Sequence, residues 1–338
     1  MSEAMVRCVW WAVRCPDAGP PPFDTAHLRL FYPAQRDFSD VERMSGMVPA
    51  AEVEKALPLI VILPGVNCGQ DSYRWLAVAL VGAGYAVVTY DLVGELFPGQ
   101  YGTTPGLDLS AARPETYGTK PTAGSLGAIL AGVAQLAAAD SGAPVAGLVD
   151  LDRVALVGHS AGGTVVLQSA SRDWFPQVRA AVALTAHAGV STMLGWEPGT
   201  VVSSPASCPV LLVAAQLDGV MEASGARYGQ DAGPMERTRR TFEESLASSS
   251  DAVFVELAGA GHFVAADPLD PTTARSFLDA VPTTDPSRSR AVLVDLLTAF
   301  LDAHVAEVPE AHIRLNDFIA NPPAEIAAVG RRMAATAD

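Results

Sequence analysis

Gly158-His159-Ser160-Ala161-Gly162 is the stretch of this 338-residue chain best suited to do chemistry. A serine flanked two residues away on each side by glycine can stand on a sharp strand-to-helix turn, because larger neighbours there would clash. Before it, Arg153-Val154-Ala155-Leu156-Val157 reads as a buried strand, and Gly163-Thr164-Val165-Val166-Leu167 after it reads as a helix. Such a helix aims its N-terminus at the serine, and the amide of Ala161 is then free to donate to a developing oxyanion. The chemistry implied is nucleophilic acyl transfer through Ser160. A bare match of this kind is common in a chain rich in glycine and serine; the flanking strand and helix give it meaning.

Positioning that serine requires a sheet. A short apolar strand, a glycine-bearing turn and a stretch with helical spacing recur along the chain, which argues a mostly parallel sheet covered by helices. Strands are expected at 59–63, 86–90, 153–157, 180–184, 210–214 and 252–257. Most are continuous Val/Ile/Leu/Ala runs, the pattern of strands buried on both faces. Helices are expected at 72–81, 125–139, 161–171, 235–247 and 290–305, and antiparallel edge strands at 6–13 and 27–32. The stretch 92–122 reads as a long loop rich in Gly, Pro, Thr and Tyr, leaving the sheet edge where open α/β folds bind ligands. Residues 218–250 read as a crossover with an extra helix. One catalytic domain spans 1–305. The tail 306–338 packs on it or extends from it, with Asn321-Pro322-Pro323 followed by a short Ala-rich helical pattern.

The elbow, together with Leu63-Pro64-Gly65-Val66, Gln70-Asp71-Ser72-Tyr73 and Gly84-Tyr85-Ala86-Val87-Val88, resembles the α/β-hydrolase family from about residue 59 to 305. Within it the segments are similar to dienelactone-hydrolase-like and PET-hydrolase/cutinase-like serine esterases. The resemblance implies the α/β-hydrolase fold, a mostly parallel twisted sheet of about eight strands flanked by helices. It implies an acid after the strand at 210–214, which is Asp218, and a histidine after the last strand, which is His262 in Ala258-Gly259-Ala260-Gly261-His262. The chain order Ser160, Asp218, His262 is the family's. Histidine, a residue type that titrates near neutrality, would take the serine proton and return it to the leaving group. Asp218 would orient the ring and stabilise the imidazolium. The second oxyanion donor is expected in the turn after 59–63, where Val66 matches the PET-hydrolase-like position. The His-Gly run of other esterases is missing there, and Asn67 stands as the alternative.

Other side chains compete for roles. His159 reads as packing beneath the elbow. His187 could line the cleft but is misplaced for the base, and His27, His304 and His312 look peripheral. Asp91 and Asp231 are acids only if Asp218 fails. Loops at the same sheet edge offer Phe97, Tyr101, Tyr117, Met193 and Leu194, beside Asn67, to a substrate pocket. Trp196 falls where related esterases carry a pocket aromatic. These rings would serve equally well as loop anchors. No arginine or lysine stands among them, which argues against a strongly anionic substrate.

Composition narrows the rest. Hydrophobic residues make up 49% and charged residues 17%, enough apolar material for a large core and unlike a disordered chain. The net charge of −15 repels phosphate backbones and anionic lipid, which excludes nucleic acid and membrane surfaces as expected partners. No apolar run reaches the ~18 residues of a membrane span. Residues 1–14 hold no signal-like apolar stretch, so the expected location is cytoplasmic. Cys8, Cys15, Cys68 and Cys208 lack metal-like spacing and read as reduced thiols, a Cys8–Cys15 disulfide being the open alternative. No nucleotide-binding or metal motif is present, and no cofactor or metal is expected.

The reading is a carboxylic-ester hydrolase that acts on small to medium, mostly apolar neutral esters through an acyl-enzyme. The same triad could cleave thioesters, lactones or amides, or perform a biosynthetic cyclisation or acyl transfer. A ligand-binding or partner-interaction protein on the same fold is the non-enzymatic alternative. Oligomeric state is not encoded legibly.

Overall fold

The computed structural model describes residues 5–229, 233–249 and 251–333. In chain order the strands are β1 (Met5–Arg14), β2 (Thr25–Ala34), β3 (Leu57–Leu63), β4 (Ala86–Phe97), β5 (Gln100–Thr103), β6 (Val149–His159), β7 (Val178–Leu184), β8 (Val210–Ala215), β9 (Asp251–Leu257) and β10 (Ile326–Met333). The helices are α1 (Asp40–Ser45), α2 (Arg74–Gly82), α3 (Leu126–Ala137), α4 (Ala161–Leu167), α5 (Gly219–Ala223), α6 (Pro234–Arg240), α7 (Pro286–Leu301) and α8 (Ala311–Ala320).

The sheet runs in the order β1-β2-β4-β3-β6-β7-β8-β9-β10, with β5 paired to β4 alone. From β4 to β9 every neighbouring pair is parallel, while β1, β2 and β10 add antiparallel. The continuous apolar runs have a direct cause here. In β3, Leu59, Val61 and Leu63 enter the core layer shared with α3 and α4, and Ile60 and Ile62 enter the layer shared with α2 and α7. A strand covered on both faces has no polar face to show.

The sheet has ten strands where about eight were expected, and the two extra come from segments read otherwise in the sequence. The first part of 92–122 is a hairpin: β4 continues to Phe97, turns through Pro98-Gly99 and returns as β5. Proline followed by a glycine at φ +76° suits such a turn. The Ala-rich stretch after Pro323 is β10, not a helix. It pairs with β9 along Ile326–Met333, where the free edge of β9 offers a row of donors and acceptors that outweighs alanine's helical preference. At the other side only β1 is an edge strand, because β2 is paired on both sides. The expected helix 161–171 ends at Leu167, and the one at 235–247 gives way to a wider turn over Thr241–Ser245.

All four cysteines are free thiols, including Cys8 and Cys15. Among the described residues no helix is long and apolar enough to cross a membrane, and no group of His, Cys, Asp and Glu could hold a metal ion.

Candidate active site

Ser160 follows β6 and caps α4 with φ +55° and ψ −122°, a conformation that costs a non-glycine residue strain and that the surrounding turn must enforce. The flanking glycines are sterically required. A Cβ at Gly158 would lie 2.3 Å from the Gly162 carbonyl oxygen, and one at Gly162 would lie 2.3 Å from that of Leu63. Ala161 is the first residue of α4, so its N–H has no acceptor within the helix.

The structure brings Ser160, His262 and Asp218 together. His262 Nε2 is 2.8 Å from Ser160 Oγ, and His262 Nδ1 is 2.7 Å from Asp218 Oδ2. Asp218 follows β8 and caps α5, its Oδ1 accepting the Met221 N–H at 2.7 Å. A carboxylate that accepts only hydrogen bonds requires the His262 proton on Nδ1, which leaves Nε2 to accept from the serine. Both His262 and Asp218 are buried. Asp279, which sequence reasoning did not single out, ties their two loops together. Its carboxylate accepts the Gly219 N–H at 3.0 Å and the Phe263 N–H at 3.4 Å, and burial pushes its pKa up.

His159 occupies the space beneath the elbow, as read from the sequence. Burial drives its pKa down to about 3, with the neighbouring His262 adding to the effect, so the ring is neutral. Its Nε2 faces the His262 carbonyl at 3.0 Å, an acceptor only, and therefore carries the proton. Its Nδ1 then accepts from the Tyr73 hydroxyl at 2.9 Å, whose oxygen in turn accepts the Gly65 N–H at 2.8 Å. One buried chain of hydrogen bonds thus joins the turn after β3, the elbow and the His262 loop. Thr185 adds a second donor to the same His262 carbonyl at 3.1 Å.

Val66 lines the cavity beside Ser160, together with Ala161. Asn67, the alternative donor, is engaged elsewhere: its N–H bonds the Thr103 carbonyl on β5 at 2.9 Å, and it sits at φ +60°. Asp91 accepts two hydrogen bonds from Gln70 and takes no part in the site, while Asp231 lies outside the described residues. His187 lines the cavity, but its Nδ1 accepts the Gly189 N–H and burial, with Arg237 nearby, pushes its pKa down to about 4.

The cavity at Ser160 measures about 140 Å³. None of Asn67, Phe97, Tyr101, Tyr117, Met193, Leu194 and Trp196 is in its lining. The loop aromatics are held by other partners. Tyr117 and Trp196 pack edge to face and bond the Ser203 and Ala112 carbonyls, Tyr101 stacks on Phe23, and Met193 is 70% exposed. Much of the lining comes instead from segments that carried no signal in the sequence: Met221, Ser224, Arg227 and Tyr228 after β8, and Phe263 and Arg275 after β9. The expectation that no cation faces the cleft is overturned by Arg227 and Arg275. Only their place downstream of two strand ends could have flagged them. Cys68 also lines the cavity, and burial pushes its thiol up to about 11, so it is protonated. Two larger hollows, of about 310 and 530 Å³, include none of Ser160, Asp218 and His262.

The parallel sheet order, the serine elbow between β6 and α4, and the serine–acid–histidine order define the α/β-hydrolase fold. Among known proteins the chain is similar to cutinases and a terephthalate-ester hydrolase. It is 28% identical over 205 residues to cutinase est1 of Thermobifida alba, covering 60% of this chain and 53% of that one. It is 27% identical over 215 residues to bis(hydroxyethyl) terephthalate hydrolase of Streptomyces coelicolor, covering 64% and 53%. With cutinase 1 of Thermobifida cellulosilytica it shares 26% over 254 residues, covering 73% and 78%. The chain thus spans about half the length of the first two relatives. No protein-family model matches it.

Proposed function

We propose that the protein hydrolyses carboxylic esters through Ser160, His262 and Asp218. The observation that carries this reading is the unbroken chain from Ser160 Oγ through His262 to Asp218, at 2.8 and 2.7 Å. Ser160 Oγ attacks the ester carbonyl while His262 Nε2 takes its proton. The tetrahedral oxyanion forms at the N-terminus of α4, where the amides of Ala161 and Val66 receive it. Preorganised donors of this kind are worth about 3 kcal/mol each. The imidazolium, held by Asp218, protonates the departing alcohol. A water that gives its proton to His262 then attacks the acyl-enzyme, and collapse of the second tetrahedral intermediate releases the acid and restores Ser160. Similarity to cutinases and to a bis(hydroxyethyl) terephthalate hydrolase supports ester chemistry. The small cavity favours short acyl groups, and residues 1–305 form the catalytic unit whose sheet the tail completes.

The test is turnover of para-nitrophenyl esters from acetate to laurate, with the Ser160→Ala variant alongside. The expected result is activity greatest on short esters and lost in the variant. Folded wild-type protein that hydrolyses none of the series sinks the reading.

A further inference from the structure

Arg227 and Arg275 reach the cavity beside Ser160 from two separate segments, the turn Gly225–Tyr228 and the loop beyond His262. Among the described residues neither guanidinium has an ion pair or a hydrogen bond. Elsewhere in this acidic chain Arg29, Arg153, Arg240 and Arg331 each hold a carboxylate. Arg227 is exposed, and its guanidinium lies 5.3 Å over the ring of Phe97, a contact that orients it without neutralising it. Arg275 is half-buried, and burial together with the charge of Arg227 pushes its pKa down. Two like charges therefore line one cavity, close enough that one lowers the other's pKa. That arrangement is unfavourable until an anion enters.

We propose that the substrate ester carries a carboxylate, which Arg227 and Arg275 hold while Ser160 attacks the ester carbonyl. The inference rests on the ester-hydrolase reading and names its substrate class. Guanidinium forks match a carboxylate in two parallel hydrogen bonds, and a cavity of about 140 Å³ suits the hemiester of a short dicarboxylic acid. The pair also gives the cavity two positive charges in a chain of net charge −15, so an anionic substrate is drawn to this place rather than to the general surface.

The experiment compares kcat/KM for mono-para-nitrophenyl glutarate with that for para-nitrophenyl butyrate, in wild type, Arg227→Gln, Arg275→Gln and the double variant. A parallel arm uses para-butyryloxybenzoate, whose carboxylate sits on the leaving group. Wild type is expected to prefer one of the charged esters by about tenfold or more. That ratio should fall in each single variant, approach one in the double, and weaken in about half-molar salt. Arg275→Lys keeps the charge but loses the fork, and should restore only part of the ratio. Calorimetric binding of monomethyl and dimethyl glutarate to Ser160→Ala reads the same preference without turnover. Preference for the neutral esters, a ratio unmoved in the double variant, or tighter binding of inorganic phosphate than of monomethyl glutarate overturns the inference. The two readings fail separately. Selective hemiester binding without Ser160-dependent turnover removes the hydrolase and leaves the carboxylate site, whereas turnover with no charge preference does the reverse.

Discussion

The Nε2–H of His159 donates to the backbone carbonyl of His262 across 3.0 Å, so the residue before the serine supports the loop that carries the proposed base. The two rings lie 5.1 Å apart, yet only one belongs to the proposed proton path. His159 is neutral because it is buried, and a neutral ring can donate from one nitrogen while accepting at the other. That dual capacity lets it join Tyr73 to His262.

Tyr73→Phe removes the hydroxyl that links His159 Nδ1 to the Gly65 amide. Two buried polar groups lose their partner, at a cost of about 1–3 kcal/mol. Gly65 precedes Val66, so kcat on a short para-nitrophenyl ester should fall about tenfold with little change in KM. Denaturant unfolding and steady-state kinetics check both numbers. An unchanged kcat would mean that this bond does not hold the turn.

Gly162→Ala places a methyl group 2.3 Å from the Leu63 carbonyl oxygen and 2.6 Å from that of Pro64, both rigid backbone. The elbow must shift, and esterase activity should drop about a hundredfold or more, or the protein should fail to fold. Gly127→Ala, in α3, is the control. Nothing lies within 4 Å of the added carbon, so stability should rise by up to about 1 kcal/mol. Thermal melts of the pair separate the two outcomes.

Acid should weaken the fold through its buried histidines. Burial holds His159 at about 3 and both His187 and His304 at about 4, against 6.5 in an open chain. Between those values the unfolded state binds more protons than the folded one, so stability rises with pH. This contribution is complete above about pH 6.5 and is lost as the pH falls toward 4. Each group adds a slope of at most about 1.4 kcal/mol per pH unit. Urea midpoints at several pH values across this window should fall steadily on acidification. A flat profile would show that these rings accept protons in the native state.

Removing residues 322–338 strips β10 from β9. The deletion exposes the β9 edge, uncovers Ile326 contacts and leaves Asp251 without the two-pronged Arg331 bond. A bare edge of an apolar strand templates association. The truncated chain should melt earlier and elute from size exclusion as larger species. A truncated chain with an unchanged melting temperature and elution volume would show β10 to be dispensable.

The parallel sheet and the elbow are legible from residue types alone. Doubly buried strands must be continuously apolar, and only glycine fits two residues to either side of Ser160, so both features are written in residue type at short range. Asp218 and His262, the proposed acid and base, were legible once the family likeness gave their order, because each lies in the loop that leaves a strand end, β8 and β9. The tail was not legible, since Ala328 to Met333 form a strand only where β9 offers an open edge. Nor was the lining of the cavity. Arg227 and Arg275 lie 48 residues apart in the chain and face the same space only after the segments beyond β8 and β9 fold over Ser160. The aromatics that looked apt for a pocket found partners in neighbouring segments instead, Tyr117 against Trp196 and Tyr101 against Phe23. Local sterics and burial leave a periodic signature, whereas the meeting of distant loops depends on tertiary packing, and tertiary packing decided the charge of this site.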